Sequence, residues 1–190
     1  MRISEFIMFE NVQEKNIGLQ PQRTSLPDRD VFSGKRTGKF LDSGSFAAVV
    51  ANAPLVAIDL IVKDLQGQAL FGLRKNPPAQ EYWFVPGGRV YKNETLAGAF
   101  ARIAYDELGL NVDRTQSRFI GVFEHFYDTN FLGEKGKDTH YVVLAHSILA
   151  VPDLLRMPRR QHAEYAWVHE NEIQQHSDIH PYAKAYFNKG

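Results

Sequence analysis

The sequence contains no cysteine, carries no net charge and has no apolar run as long as a membrane span. Each absence removes a class of function. Without cysteine there is neither a disulfide framework nor a thiolate metal site. Lysine plus arginine and aspartate plus glutamate both number 22, so nothing in the charge balance suggests an electrostatic footprint for nucleic acid or an acidic membrane surface. An anionic ligand must then be held by local arginines. No stretch nears the ~20 apolar residues of a membrane helix, and "MRISEFIMFE" mixes acids into its apolar residues without a long hydrophobic core. The expectation is a cytoplasmic protein with no membrane or nucleic-acid partner. What is present is a chain of 190 residues, 44% apolar, enough for one domain with a sizeable core.

Two textures divide the chain. Residues 1–39 hold proline, glycine and both charge signs with no sustained period of 2 or 3.6, and read as a flexible extension. From Phe40 to residue 190 the pattern is that of a folded domain. "SFAAVVANA" suits a short helix, and Pro54 opens "LVAIDLIV", a β-branched strand of the buried kind. "QALFGLRK", "EYWFVPGG", "FIGVFEHFYD", "THYVVLAHSILAV" and "AEYAWVHE" read as further strands, the third and fourth of these flanking a polar loop over 128–139. "TLAGAFARIAYDELGL" reads as a helix, with Leu96, Phe100, Ile103 and Ala104 on one stripe and Gly109 as its stop. The tail "NEIQQHSDIHPYAKAYF" reads as helical with a break at Pro181. Mixed strands around one central helix predict an α/β domain.

The stretch "WFVPGGRV" ends an apolar run on Pro-Gly-Gly before a polar helix, and reads as a turn where backbone approaches a ligand closely. Positions 103, 106 and 107 of that helix are related by i+3 and i+4 and share a face that can converge on one cation. In "GGRVYKNETLAGAFARIAYDELGL", Gly88, Glu94, Arg102, Glu107, Gly109 and Leu110 match most of the pattern G-x5-E-x7-R-E-U-x-E-E-x-G-U. The chain thereby resembles the Nudix hydrolases, which implies the Nudix fold: a mixed β-sheet with a central box helix in an α/β/α sandwich. Two positions depart from the pattern. Residue 103 is Ile and residue 106 is Asp where it has Glu, which leaves Glu107 and predicts one Mg²⁺ (Mn²⁺ as a substitute) rather than several ions.

One branch of the family shares that loss, the GDP-mannose mannosyl hydrolases, and the chain resembles it from Phe40 onward. "PLVAIDLIV", "PPAQEYWFVPGGRV", "EHFYDTNF", "DTHYVVL" and "RRQHAEYAWV" carry the resemblance outside the box. It implies that water attacks the anomeric carbon of a GDP-sugar and expels GDP with inversion, and it leaves GDP-glucose open as a second substrate. On the matching positions, His162 is the base, and Gln161, the Gly87 carbonyl and Glu107 are the metal ligands. Arg74 binds substrate, Arg89 and Arg102 face phosphate, Tyr141 bonds the leaving group, and Asp59 and His125 lie near the sugar. Phe40, Leu41 and Phe46 match N-terminal substrate contacts. The family's tendency to form homodimers carries over as an expectation.

Plainer readings stand beside these. Asp59 in an apolar strand suits a structural salt bridge as well, Arg102 can pair with Glu94 to staple loop to helix, and Phe40 and Phe46 can be core. His162 alone reads as a solvated loop residue, and His176 and His180, at i,i+4 spacing, as a solvated helix face. Two rival functions remain open: an ordinary nucleotide-sugar pyrophosphatase, should Asp106 and other carboxylates rebuild the metal cluster, and a binding module of Nudix shape.

Overall fold

A computed structural model describes residues 41–134, 136–150, 152, 155–157 and 162–188. The expected extension over 1–39, and the expected site residues Phe40 and Gln161, lie outside the described residues. Among the described residues, the α-helices are α1 (Ser43–Asn52), α2 (Leu96–Leu108) and α3 (Pro181–Ala185). Strands are β1 (Leu55–Lys63), β2 (Gln68–Arg74), β3 (Trp83–Phe84), β4 (Gly87–Arg89), β5 (Arg118–Tyr127), β6 (Thr139–Leu149) and β7 (His162–His169). They form one mixed sheet in the order β3-β2-β1-β6-β5, with β4 paired to β1 and β7 to β2. Among the described residues, no helix is long and apolar enough to cross a membrane.

Strand β1 is central, parallel to β6 from Leu55↔Tyr141 to Lys63↔Leu149, which is why its sequence is nearly continuously apolar. Alternation sorts its side chains between two cores. Ile58, Leu60 and Val62 join Phe100, Ile103 and Leu108 of α2, whereas Ile61 joins Trp83, Ile179 and Tyr186 on the opposite face. Asp59 shares the face of Ile61. Burial of each large side chain contributes about 1.5–3 kcal/mol, so these two layers dominate the fold.

Helix α2 follows its sequence closely. Thr95 accepts a hydrogen bond from the Gly98 amide at 3.0 Å, and Gly109 ends the helix at φ 68°. A Cβ on Gly109 would also lie 2.7 Å from Arg156 Cβ. The buried stripe is Ala99, Phe100, Ile103, Ala104, Glu107 and Leu108. Glu107 therefore lies on the apolar face, one turn beyond Ile103.

Three expectations are corrected. "EYWFVPGG" is two strands rather than one, because Gly87–Arg89 leaves β3 and pairs antiparallel with β1. The two glycines are thus strand, not turn, and neither has positive φ. Pro181 starts a helix instead of breaking one: His180 is the N-cap of α3, its Nδ1 accepting from the Tyr182 amide at 3.2 Å. His176 is buried and ends a short 3₁₀ turn, so His176 and His180 share no solvated helix face.

Candidate active site

Strand register assembles the site in cross-strand pairs. Asp59 faces Gly87, Arg74 faces His162, and His125 faces Tyr141, bringing together six of the residues expected from sequence. A cavity of about 330 Å³ is lined by Asp59, Arg74, Gly87, Arg89, Glu107, His125 and Tyr141, together with Phe46, Ile103 and Asp106. Leu41 does not line it and is 55% exposed.

Space requires glycine at 87 and is tight at 88. A Cβ on Gly87 would collide with Asp59 Oδ1, and one on Gly88 would lie 3.1 Å from Ile103 Cγ1. Ile103 itself is 1% exposed and wedged between the α2 core and Gly88. Where the box pattern has a carboxylate, this chain has a packing side chain.

Glu107 is buried, and burial pushes its carboxyl up to about 7; nearby Arg74 opposes the rise and Asp106 adds to it. Its Oε2 lies 3.8 Å from His162 Nε2. The donor set suits one hard cation. Glu107 offers a desolvated carboxylate whose charge a cation would stabilise, and Asp106 adds an exposed one on the same cavity. Among the described residues no three His, Asp or Glu side chains converge as a metal site. Backbone, water or phosphate oxygens must complete any coordination, with Gly87 at the cavity wall for the backbone share.

His162 opens strand β7 and is buried, not in a solvated loop. Burial first, and Arg74 second, pushes its imidazole down to about 4, so it is neutral at pH 7. It does not line the cavity itself but lies beside Glu107, which does.

The arginines separate by role. Arg102 Nε donates to Glu94 Oε1 at 2.7 Å, its Nη2 to Glu94 Oε2 at 2.9 Å and to the Arg89 carbonyl at 2.8 Å. Its guanidinium also lies 4.0 Å from the Tyr91 ring. The staple reading of Arg102 holds, and its fork is already committed. Arg74 has a buried Nε with no hydrogen-bond partner among the described residues, a donor suited to an anion in the cavity. Arg89 stacks its Cζ 3.9 Å from the Phe46 ring, and Phe46 packs on Phe131 at 4.5 Å. Phe46 is thus a cavity residue, not core.

Among the described residues Asp59 forms no salt bridge. Its Oδ2 accepts from the Tyr186 hydroxyl at 2.6 Å, while burial pushes the carboxyl up to about 6 against opposing effects of that bond and Arg74. His125 is buried, stacked on Tyr182 at 4.4 Å, and pushed down to about 4 by burial and then by His180. Sequence reasoning missed Phe131, Tyr127 and Tyr186. Tyr127 lies two residues beyond His125 on one strand, a period-2 neighbour that alternation could have found. Tyr186 stands 127 positions from Asp59, and no local pattern links them.

Comparison with known proteins agrees with this architecture. The NUDIX domain family model matches residues 53–188. The low-salt glycan biosynthesis protein Agl8 of Haloferax volcanii is 43% identical over 142 residues, spanning 74% of this chain and 85% of that protein. Among solved structures, the MutT protein of Methanosarcina mazei Go1 matches with a TM-score of 0.57 at 19% identity, covering 72% of this chain and 92% of that one. The MutT NUDIX hydrolase of Burkholderia pseudomallei matches with a TM-score of 0.57 at 20% identity, covering 72% and 97%. At such identities these structures speak for the fold, which is the Nudix fold. The chain belongs to the NUDIX family.

Proposed function

We propose that this Nudix protein hydrolyses GDP-mannose to GDP and free mannose by attack of water on the anomeric carbon. One observation carries the reading. Ile103 fills the helix position of the missing carboxylate and is sealed against Gly88, so Glu107 is the single buried carboxylate that α2 presents to the cavity. A single such carboxylate suits one cation on a diphosphate better than the multi-ion activation of water against phosphorus. The name of the relative Agl8 places that protein in glycan biosynthesis, where nucleotide sugars are the activated donors.

In this reading the water oxygen bonds to C1, the C1–O bond breaks, and its electron pair leaves on the β-phosphate of GDP. The water proton passes to His162, neutral at pH 7 and 3.8 Å from Glu107. Arg74 and Arg89 hold the phosphates, Tyr141 bonds the departing oxygen, and Asp59 and His125 orient the sugar. No general acid is needed, because GDP is already a good leaving group. Nudix hydrolases generally use a divalent ion such as Mg²⁺; Glu107, the Gly87 carbonyl and Gln161 would hold it, and it would offset charge on the leaving diphosphate. A homodimer is part of the same proposal, read out by light scattering.

Product analysis tests it: ³¹P NMR of GDP-mannose turned over in Mg²⁺ should show GDP and no sugar phosphate. Asp106, which lines the cavity, favours the pyrophosphatase reading as the second choice. That reading requires GMP and mannose 1-phosphate.

A further inference from the structure

Tyr186, at the C-terminal cap of the short helix α3, does not itself line the cavity, but its hydroxyl joins two cavity-lining groups on different strands. Tyr186 Oη donates to Asp59 Oδ2 at 2.6 Å and lies 3.1 Å from His125 Nε2. A phenol has one proton, and the short bond to a carboxylate uses it. The oxygen must then accept from His125, which fixes that imidazole as its Nε2–H tautomer. All three side chains are buried.

Everything around this chain of bonds holds it still. Asp59 Oδ1 is packed where Gly87 leaves room for it, so the carboxylate is bounded by Gly87 on one oxygen and Tyr186 on the other. The Tyr186 ring packs edge-on against Phe123 at 4.8 Å. The His125 ring is stacked on Tyr182, whose hydroxyl donates to the Phe126 carbonyl at 2.8 Å and accepts from the Phe126 amide at 3.0 Å. Those two bonds pin α3 to strand β5. The Trp83 amide donates to the Asp178 carbonyl at 2.9 Å and pins the preceding segment to β3. The C-terminal segment is thus tied to both edges of the sheet, with Tyr186 between them.

We propose that Tyr186 is a positioning residue for the reaction: it holds the Asp59 carboxylate in one orientation toward the sugar and is itself held by His125. The inference rests on the proposed function only in taking Asp59 to face the sugar. A purely structural hydroxyl would change stability and leave chemistry alone, and the two roles separate by experiment.

The experiment is a double-mutant cycle of Tyr186→Phe and Asp59→Asn, with thermal unfolding recorded for each. Tyr186→Phe keeps the ring against Phe123 and removes only the hydroxyl. It should lower kcat about tenfold or more with KM within about threefold, and in the Asp59→Asn background its effect should vanish to within about twofold. Multiplicative effects, or a Tyr186→Phe enzyme within twofold of wild type, would overturn the proposal. Nitrogen-15 NMR of wild-type histidines, which needs no variant that folds, should show His125 protonated on Nε2; an Nδ1–H tautomer would also overturn it. Should wild type release GMP rather than GDP, the reaction assignment fails on its own, and the cycle run on that turnover still decides the role of Tyr186.

Discussion

Helices α2 and α3 lie on opposite faces of one sheet and bear on one cavity differently: α2 lines it with Ile103, Asp106 and Glu107, while α3 ends in Tyr186, which holds the lining residue Asp59. The first runs 13 residues, is capped at both ends by its own sequence, and places Glu107 by helical periodicity alone. The second runs five residues and owes its position to hydrogen bonds with both sheet edges. Its Tyr186 meets Asp59 only because the whole sheet is assembled. The contrast teaches that Glu107 is placed by local sequence and the Asp59–Tyr186 pair by tertiary structure.

Glu107→Gln should break the α2 side most severely, lowering turnover by about 10²–10³-fold. Without metal it should leave the protein as stable as wild type or more so at pH 8. A carboxyl raised to about 7 by burial adds stability while protonated and loses it as pH rises through 7, a cost the amide removes. Denaturation in EDTA beside steady-state kinetics checks both; an unfolded variant would make Glu107 structural. His162→Gln should lower kcat by at least ~10²-fold with KM roughly intact. Activity within a few-fold of wild type would remove this buried ring from the mechanism.

Ile103→Glu sharpens the comparison from inside the core. A carboxylate in that 1%-exposed position should cost at least ~2 kcal/mol by denaturation in EDTA, and Mg²⁺ should return part of it. No recovery with Mg²⁺ would mean that residue 103 does not face the cation. The smallest effect lies on the α3 side and is read in pH. His125, held near 4 against an ordinary 6.5, withholds a proton that the unfolded chain binds, so its contribution is intact above 6.5 and is lost as pH falls to 4. Asp59, raised to about 6, contributes with the opposite sign, losing stability as pH rises from 3.8 to 6. The stability gap between wild type and His125→Asn should therefore narrow from pH 7 to pH 5. A constant gap in urea titrations would contradict the suppression.

Legibility in the sequence follows the same divide. The apolar stripe and Gly109 marked α2, and the box spacing carried Glu107 with it. Strand β1 was legible because a strand covered on both faces is apolar throughout. Strand β4 was not, since Gly-Gly signals a turn until the crowding by Asp59 and Ile103 is known. Nor was the tail: a 3₁₀ turn and a five-residue helix have too little periodicity to announce themselves. Arg102 showed both outcomes at once, because its spacing to Glu94 named the partner while the box named a phosphate. His162 was singled out from its neighbours in sequence, but its burial beside Glu107 came from the pairing of β7 with β2.

The most direct test of the account is where the bond breaks. Hydrolysis of GDP-mannose in H₂¹⁸O should place the label in mannose and leave GDP unlabelled, with the β anomer appearing first by NMR because single displacement inverts the α linkage. Label recovered in a phosphate, or an α anomer formed first, would contradict it.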